Sequence, residues 1–287
     1  MTAAPSGPAD ASFCADEVRA HDFERYAATL FTDPAQRRAL LALYAFAGEI
    51  ARVRDHISQA LPGEIRLQWW VDTLTGTGHG EVEGHPVAAE MFNAIRTFGL
   101  PVDDLVRLIE AHRFDLYDDP MPTMDALETY LTDTAATLFE LAARICGPQT
   151  AVPEGLARHA GLAQGLVRLI GLLPLHAARR QLYLPQQLLD LNAVKVEDVF
   201  AGTATPQLHT VLAYLNREAQ THLEAAVAAL VSAPPAPRRA FLPLAQVRKA
   251  LRHMEQGAFD PFRPQPLSRL AVLWTFWRAS RSSPYRA

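Results

Sequence analysis

Cysteine is scarce in this sequence, and basic residues are not in excess. The two cysteines, Cys14 and Cys146, lie far apart and lack the close spacing of metal ligands. They argue against a disulfide framework and indicate a reducing compartment. Lysine and arginine number 27 against 31 aspartate and glutamate residues, for a net charge of -4. That balance provides no basic footprint, so we expect no nucleic-acid partner.

Long apolar runs and familiar catalytic motifs are also absent. No stretch of about 18 or more apolar residues occurs, so no segment is predicted to span a membrane. Residues 1–12 contain no basic or apolar region, so we expect a disordered lead and not a targeting segment. The sequence has no serine or cysteine nucleophile motif, no glycine-rich phosphate loop and no zinc-binding HExxH pattern.

What the sequence does contain is typical of a helical protein. Hydrophobic residues make up 49% of the 287 residues, which is enough for a sizeable core. Alanine and leucine, both strong helix formers, are abundant, and convincing strand alternation is lacking. We therefore predict an all-α protein with a single domain over residues 13–279 and a short tail over residues 280–287.

Capping residues and helix breakers predict where the helices begin and end. Asp33 and Pro34 fit the N-cap and the first position of a helix that runs to about Arg54. The sharpest break is the proline-rich stretch 234–237. Further helices are predicted at about 64–74, 85–98, 102–117, 123–145, 153–175, 207–231, 238–256 and 267–278.

Six segments, in order, carry a resemblance that covers residues 14–275, nearly the whole chain. They are His21–Tyr26, Arg38–Phe46, Glu64–Trp70, His85–Ala88, Tyr130–Leu141 and Gly165–Pro185. In this order they resemble the squalene/phytoene synthase family. The resemblance implies an isoprenoid-synthase-type helical bundle around a central cavity.

The same resemblance implies a particular metal chemistry. Members of the family carry two carboxylate sets of the form D-x-x-x-D on facing helices. A spacing of four puts both carboxylates on one helix face, one turn apart. There they clamp Mg²⁺, which neutralises the diphosphate of a prenyl substrate as its C–O bond ionises. An apolar tunnel shields the resulting carbocation from water.

The first carboxylate set is reduced to one member in this chain. Ala51 stands at the first aspartate position and Asp55 at the second, while Gly48 replaces an arginine of the family. Two arginines, Arg52 and Arg54, occupy the segment between them. Asp55 is therefore the single candidate metal ligand. Mg²⁺ is expected only if the chain is an active enzyme.

The second carboxylate set has lost both members. Leu172 and His176 stand at the two aspartate positions, in a segment whose frame otherwise persists. Gly165, Arg168 and Gly171 stand where the family has glutamine, asparagine and arginine. Leucine cannot coordinate a metal, and a lone histidine is more often an ordinary core or surface residue than a ligand. We therefore assign no catalytic residue and expect no cofactor.

Other charged residues are candidates to replace the lost carboxylates, and two interpretations stay open for each. The acidic cluster in Asp115–Pro122 is either a solvated helix end or a replacement metal or contact site. Glu49 either reaches the cavity or pairs with Arg52 or Arg54. Arg52, Arg54 and Arg168 either hold phosphate directly, or neutralise Asp55 and Glu49 or lie on the surface.

Aromatic residues at helical spacing are candidates for a substrate cavity. They either line the remains of a lipid tunnel or belong to an ordinary core. These candidates are Phe23, Tyr26, Tyr44, Phe46 and Tyr183. Trp69 and Trp70 cannot share one helix face, so one of them is predicted to reach the surface as an interaction site.

Loss from both carboxylate sets indicates a retained fold with a different role. The sequence resembles a branch of the family that includes an assembly factor of mitochondrial complex I. This resemblance implies a non-catalytic scaffold or assembly protein that contacts complex I subunits or assembly proteins, in the bacterial cytoplasm or peripherally at the inner membrane. The alternatives are a Mg²⁺-dependent enzyme that joins two prenyl diphosphates head to head, and a non-catalytic protein that binds isoprenoid lipid.

Overall fold

The structure of the chain is a computed structural model that describes residues 7–57, 59–77, 84–147, 152–256, 259–263 and 268–282. Within these ranges the chain is helical and no residue lies in a strand, which confirms the all-α fold class. The α-helices, in chain order, are α1 (Pro8–His21), α2 (Phe23–Thr29), α3 (Pro34–Ala51), α4 (Ala60–Thr75), α5 (Pro86–Phe98), α6 (Val102–Ala111), α7 (Met124–Leu131), α8 (Thr137–Cys146), α9 (Leu156–Gly171), α10 (Leu173–Ala178), α11 (Gln186–Leu191), α12 (Val196–Phe200), α13 (Pro206–Ser232), α14 (Pro235–Arg238), α15 (Leu244–Met254) and α16 (Arg269–Ser280).

Several predicted helices are interrupted, because tighter or wider turns replace α-helical ones. The predicted helix 102–117 changes at Ala111 into a 3-10 helix over His112–Leu116. The predicted helix 123–145 contains a π-helical turn over Thr132–Ala136 between α7 and α8. The predicted helix 238–256 begins as α14 and a 3-10 turn over Arg239–Phe241 before α15. Hydrophobic spacing alone does not distinguish these turn types.

The N-terminal boundary also needs a correction. Helix α1 begins at Pro8, so residues 8–12 are helical and do not belong to the predicted disordered lead. The Asp10 carboxylate accepts a hydrogen bond from the Gly7 backbone nitrogen at 2.8 Å, which fixes the start of this helix. Residues 1–6 and 283–287, which fall in the predicted lead and tail, lie outside the described residues. The assignment of 13–279 to one domain stays a prediction.

The chain divides into two compact units, which do not follow the chain order. The first comprises the described residues of Met1–Tyr117, Thr137–Val152 and Ala233–Pro243. The second comprises the described residues of Asp118–Ala136, Pro153–Ser232 and Leu244–Ala287. None of the helices within the described ranges is long and apolar enough to cross a membrane.

The first unit is built around α3, whose residues 39–47 are all buried. Helix α3 begins at Pro34 after Asp33, as predicted. It packs against α1 and α5, and the Phe46 ring meets the edge of Trp70 from α4 with the ring centroids 5.0 Å apart. Both rings are fully buried, so they belong to the core of this unit. A helix that is apolar nearly all round must be covered on all sides.

Both cysteines lie in the first unit and are free, buried thiols. Burial raises the pKa of the Cys14 thiol to about 12, and Glu90 and other acids add to the rise. Burial likewise raises the pKa of the Cys146 thiol to about 12. Thiols of this kind are neutral and unreactive at neutral pH, so the cysteines act as small core residues.

The second unit is built around the packing of α9 on α13 and on the π-helical turn. Gly161 permits the closest approach: a Cβ there would lie 2.6 Å from the Cβ of Ala136 and closer still to the Ala136 backbone. Thr134, within the π-helical turn, donates its hydroxyl to the Tyr130 carbonyl at 2.6 Å. Side-chain hydroxyl bonds of this kind are a common companion of distorted helical turns.

A pair of histidines crosses the contact between α9 and α13. The Nδ1 atoms of His159 and His222 are 2.8 Å apart, so one ring donates and the other accepts. Burial lowers the pKa of both imidazoles; Arg158 adds to the effect in each, and His159 itself lowers the pKa of His222. Glu128 and Glu218 oppose the shift at His222. The folded protein therefore favours the neutral pair.

This pair predicts a loss of stability in weak acid. A lowered folded pKa means that the unfolded chain binds more protons below the usual histidine pKa of about 6.5, so the free energy of unfolding falls as the pH drops through that value. In thermal unfolding, the melting temperature of His222→Gln should depend less on pH than the melting temperature of the wild type. His209→Gln, on an exposed site of the same helix, is the matched control. An unchanged pH dependence in His222→Gln would contradict the assignment.

Candidate functional site

The first motif segment lies where α3 ends. The α-helix stops at Ala51, Arg52 caps it, and a 3-10 helix follows over Val53–His56. The predicted continuation to Arg54 is therefore wrong, because the backbone tightens after Ala51. Ala51 and Asp55 are both exposed, and they do not occupy successive turns of one α-helix. The geometry that pairs two carboxylates on one helical face is absent at this segment.

The guanidinium of Arg52 fills the space beside Gly48. A Cβ at Gly48 would lie 3.2 Å from Nη1 of Arg52, so the arginine folds back over the glycine. Its Nη2 donates to a carboxylate oxygen of Glu17 in α1 at 2.9 Å. Of the two interpretations of Arg52, this contact favours neutralisation of an acid, with Glu17 as the ion-pair partner because the turn after Ala51 brings the side chain to α1. A guanidinium ion-paired in this way is partly neutralised as a phosphate ligand.

Glu49 faces His85 instead. Its carboxylate lies 3.6 Å from Nε2 of His85, while Nδ1 of that ring accepts a hydrogen bond from the Ala88 nitrogen at the start of α5. Burial raises the pKa of Glu49, against the opposing charges of Arg66 and Arg52. Burial, with a smaller contribution from Arg66, lowers the pKa of His85. The histidine therefore caps α5, and its Nε2–H tautomer points toward the acid.

The two neighbouring tryptophans, Trp69 and Trp70, differ in burial. Trp70 is fully buried, and Trp69 is half-buried with its ring centroid 5.2 Å from that of His85. The prediction that they cannot share one side is wrong, because their ring centroids lie 5.0 Å apart and both rings contact His85, at 5.2 and 5.3 Å. Neither ring belongs to the exposed apolar residues, so this pair offers only part of one ring as a surface feature.

The second motif segment also coincides with a helix end. Helix α9 stops at Gly171, Leu172 caps it, and α10 begins at Leu173. The predicted unbroken helix 153–175 is therefore wrong at Leu172. The His176 nitrogen still donates to the Leu172 carbonyl at 3.0 Å, which keeps these two residues one turn apart. Arg168 is exposed, so it lies on the solvent side of α9.

The ring of His176, at a position where the family has a carboxylate, packs against an aromatic ring. The His176 and Tyr183 ring centroids are 4.6 Å apart, and the Tyr183 ring lies 5.9 Å from that of Tyr130. Gly165, in the same helix as Leu172, approaches Leu131: a Cβ there would lie 2.6 Å from its Cδ2. His176 and Gly165, which stand at polar positions of the family, thus make packing contacts.

The remaining donors do not fit the Mg²⁺ that the family implies. Mg²⁺ requires oxygen ligands in a near-octahedral arrangement. Asp55 is the sole carboxylate of the four motif positions, and it lies exposed on a 3-10 turn. Within the described ranges, no three histidine, cysteine, aspartate or glutamate residues are placed to hold a metal ion. No chemical step through Mg²⁺ follows from this donor set.

The acidic cluster also separates into different environments. Asp115 is buried, with its carboxylate 2.6 Å from Nδ1 of His112. Asp118 and Asp119 are exposed beyond the end of the 3-10 helix at Leu116. The reading of a solvated helix end is therefore wrong for Asp115, which the 3-10 turn carries inward to its histidine partner.

The aromatic candidates also differ in burial. Phe46 is core, whereas Phe23 and Tyr26 are half-buried and stacked with centroids 6.0 Å apart. Arg37 donates to the Tyr26 hydroxyl at 3.3 Å. Tyr44 is nearly covered, and burial raises the pKa of its phenol.

Sequence reasoning overlooked the cations beside these rings. The guanidinium of Arg25 lies 5.3 Å from the Tyr44 ring centroid, and that of Arg37 lies 5.6 Å from Tyr26. Arg25 and Tyr26 are neighbours within His21–Tyr26, the first of the six segments that carry the family resemblance. The signal was thus present, but only the packing of α2 on α3 pairs each cation with its ring.

Comparison with known proteins identifies one family that matches most of the chain. The profile of squalene/phytoene synthase matches residues 18–278. The chain is similar to human "NADH dehydrogenase (ubiquinone) complex I, assembly factor 6", at 28% identity over 284 residues, which cover 96% of this chain and 85% of that protein. It is also 28% identical to presqualene diphosphate synthase of Rhodopseudomonas palustris over 202 residues, 70% of this chain and 72% of the synthase.

A solved structure agrees with the fold. A dehydrosqualene synthase in complex with a ligand superimposes with a TM-score of 0.82 and 15% identity, covering 94% of this chain and 95% of that one. At this identity the likeness concerns the fold alone. Catalytic synthases and an assembly factor therefore both occur among the proteins that this chain resembles.

Proposed function

Because the chain belongs to the squalene/phytoene synthase family, we propose that it is a non-catalytic member that assists the assembly of respiratory NADH dehydrogenase, complex I. The observation that carries this proposal is the loss of three of four motif carboxylates, at Ala51, Leu172 and His176. Both motif segments also coincide with the end of an α-helix. No cofactor is required for such a role.

The physical argument concerns the charge of the substrate. A prenyl diphosphate gains negative charge on its leaving group as the C–O bond breaks, and metal ions normally stabilise that charge. Leu172 supplies no ligand, and Arg52 is ion-paired with Glu17. The second motif segment thus lacks both of its metal ligands, and the first keeps Asp55 alone, beside an arginine that an acid of α1 already neutralises.

The relatives support the choice of role. The chain is 28% identical to the human complex I assembly factor over 96% of its length, and presqualene diphosphate synthases match at 26–28% over 70–87% of it. The partners proposed here are complex I subunits or their assembly proteins. A peripheral position at the membrane where complex I is built is consistent with such partners.

The first test is a turnover assay. Purified protein with Mg²⁺ and labelled farnesyl or geranylgeranyl diphosphate should form no squalene, phytoene or cyclopropyl intermediate. We expect kcat at least about 10³-fold below that of the Rhodopseudomonas palustris synthase assayed in parallel, because the stabilisation by metal is worth several kcal/mol. Turnover within tenfold of that control would establish the enzymatic alternative.

The second test is genetic and uses Asp55 to separate the two roles. Deletion of the gene should reduce assembled NADH dehydrogenase on native gels, and both the wild type and Asp55→Ala should restore it. An enzyme that depends on its last motif carboxylate would lose function in Asp55→Ala. Normal complex I in the deletion strain would refute the assembly role.

A further inference from the structure

Helix α16 has two apolar faces instead of one. Val272, Phe276 and Ala279 form its buried face. Leu270, Trp274 and Trp277 follow helical spacing on the opposite side, where they are 78%, 59% and 38% exposed. A surface helix normally carries charged or polar residues on that outer side. The outer face of α16 is therefore an apolar stripe in contact with solvent.

The two tryptophans of this stripe form a single platform. Their ring centroids are 4.9 Å apart, and the rings are nearly parallel, at 21°. The guanidinium of Arg281, one turn beyond Trp277, lies 4.1 Å from that ring centroid. A platform of this kind presents a large apolar area with cations at its border.

Helix α15 adds a basic groove beside the platform. A cavity of about 280 Å³ lies between α15 and α16. It is lined mainly by basic residues of α15 together with Trp274 and Arg278 of α16. The basic residues on the α15 side are Arg248, Lys249 and Arg252.

The charge of this region is the reverse of the charge of the whole chain. Helices α15 and α16 with Arg281 carry six basic side chains and no aspartate or glutamate, although the chain has a net charge of -4. The six are Arg248, Lys249, Arg252, Arg269, Arg278 and Arg281. The positive charge is thus concentrated on the two helices that also expose the tryptophans.

We propose that this α15–α16 face, formed by Leu270, Trp274 and Trp277 with the surrounding arginines and lysine, docks the protein on an anionic membrane surface. Tryptophan favours the membrane interface because its ring has a large apolar body and a polar N–H. Arginine and lysine extend their charged ends to lipid phosphates while their stems cover apolar surface. Helix α16, about 18 Å long, lies flat in the headgroup region.

An anionic membrane explains the apolar stripe and the basic residues around it better than a second copy of the chain does. A second copy of the same face would bring six positive charges against six, which disfavours a symmetric dimer. The exposed apolar residues lie along one straight helical stripe, which matches a planar interface. The inference concerns membrane docking and stands independently of the proposed role in complex I assembly.

The test is vesicle binding with the full chain. Co-sedimentation should show binding to phosphatidylcholine vesicles that contain phosphatidylglycerol, weak binding to pure phosphatidylcholine, and weaker binding at higher salt. Trp274→Ala/Trp277→Ala should lower the partition coefficient about tenfold. Arg248→Gln/Lys249→Gln should lower it by about fivefold for each charge removed.

Matched variants exclude general effects of exposed residues. Leu61 and Ile65 in α4 are 68% and 63% exposed, so Leu61→Ala/Ile65→Ala should leave vesicle binding unchanged. Arg217→Gln, an exposed arginine of α13, serves as the control for charge. Unchanged melting temperatures would show that each variant is folded.

Three results would overturn the proposal. The first is equal binding to neutral and anionic vesicles, and the second is full binding by the tryptophan variant. The third is concentration-dependent self-association that requires Trp274 and Trp277 in the absence of lipid. If the variants lose vesicle binding but complex I still assembles normally, membrane docking is supported. The assembly role is then decided by the deletion experiment alone.

Discussion

Replacing Arg38 by alanine is expected to destabilise the protein by about 3–5 kcal/mol. The Nε and Nη2 atoms of Arg38 in α3 donate to the two carboxylate oxygens of Glu90 in α5, at 2.8 and 2.7 Å. Glu90 is only 1% exposed, so the substitution leaves a buried carboxylate without its main cation. The hydrogen bond also raises the pKa of the Arg38 guanidinium, which keeps it charged.

The opposite substitution should cost less, because the two partners differ in exposure. The side chain of Arg38 is 38% exposed, so in Glu90→Ala its guanidinium keeps contact with water. We expect a cost of about 2 kcal/mol for Glu90→Ala, and less than the sum of the single costs for Arg38→Met/Glu90→Leu. Urea unfolding curves would measure all three.

Arg96→Ala, at an exposed position of α5, is the control for this series. It should change stability by no more than about 0.5 kcal/mol. The prediction fails if Arg38→Ala costs no more than Arg96→Ala. That outcome would mean that the ion pair between α3 and α5 contributes little to stability, although the two helices pack together in the first unit.

A methyl group at Gly161 is expected to destabilise the protein by about 3 kcal/mol or more. The new Cβ of Gly161→Ala would meet the backbone of Ala136, which belongs to the π-helical turn and cannot move as a side chain does. Either α9 must shift away from this turn or the turn must rearrange. Both changes disturb the central contacts of the second unit.

Two other glycines of the same helix make the experiment selective. Gly165→Ala would meet the flexible end of Leu131, so we expect an intermediate cost of about 1 kcal/mol. Gly171→Ala has no atom within 4 Å of its new Cβ, so it should be neutral or stabilise by up to about 1 kcal/mol. Thermal unfolding of the three variants should rank them in this order. Equal effects at Gly161 and Gly171 would contradict the close-packing argument.

Some features of this protein could be read from the sequence because they depend on residue identity alone. Alanine- and leucine-rich segments predicted helices, and the all-α fold class is confirmed. Six segments in order pointed to the family that the profile matches over residues 18–278. The missing carboxylates at Ala51, Leu172 and His176 were equally visible, since no arrangement of the chain can make these side chains carboxylates.

The helix ends at both motifs required the tertiary structure. Whether the α-helix continues past Ala51 or Gly171 or turns there changes the local free energy little, so packing against distant residues decides the outcome. The ion pair of Arg52 with Glu17 joins residues 35 positions apart, and local spacing carries no information about it. The same holds for the inward turn of Asp115 toward His112.

Exposure is the property that the sequence left most open. The sequence predicts a helix at about 267–278, and its periodicity cannot tell which of two apolar faces will be covered. The folded chain buries Val272 and Phe276 and leaves Trp274 and Trp277 in contact with solvent. Residue identities thus determined the fold class and the loss of the motif carboxylates, since both are local properties of the chain. The docking face and the broken motif helices depend on contacts between distant residues, and only the folded chain decides them.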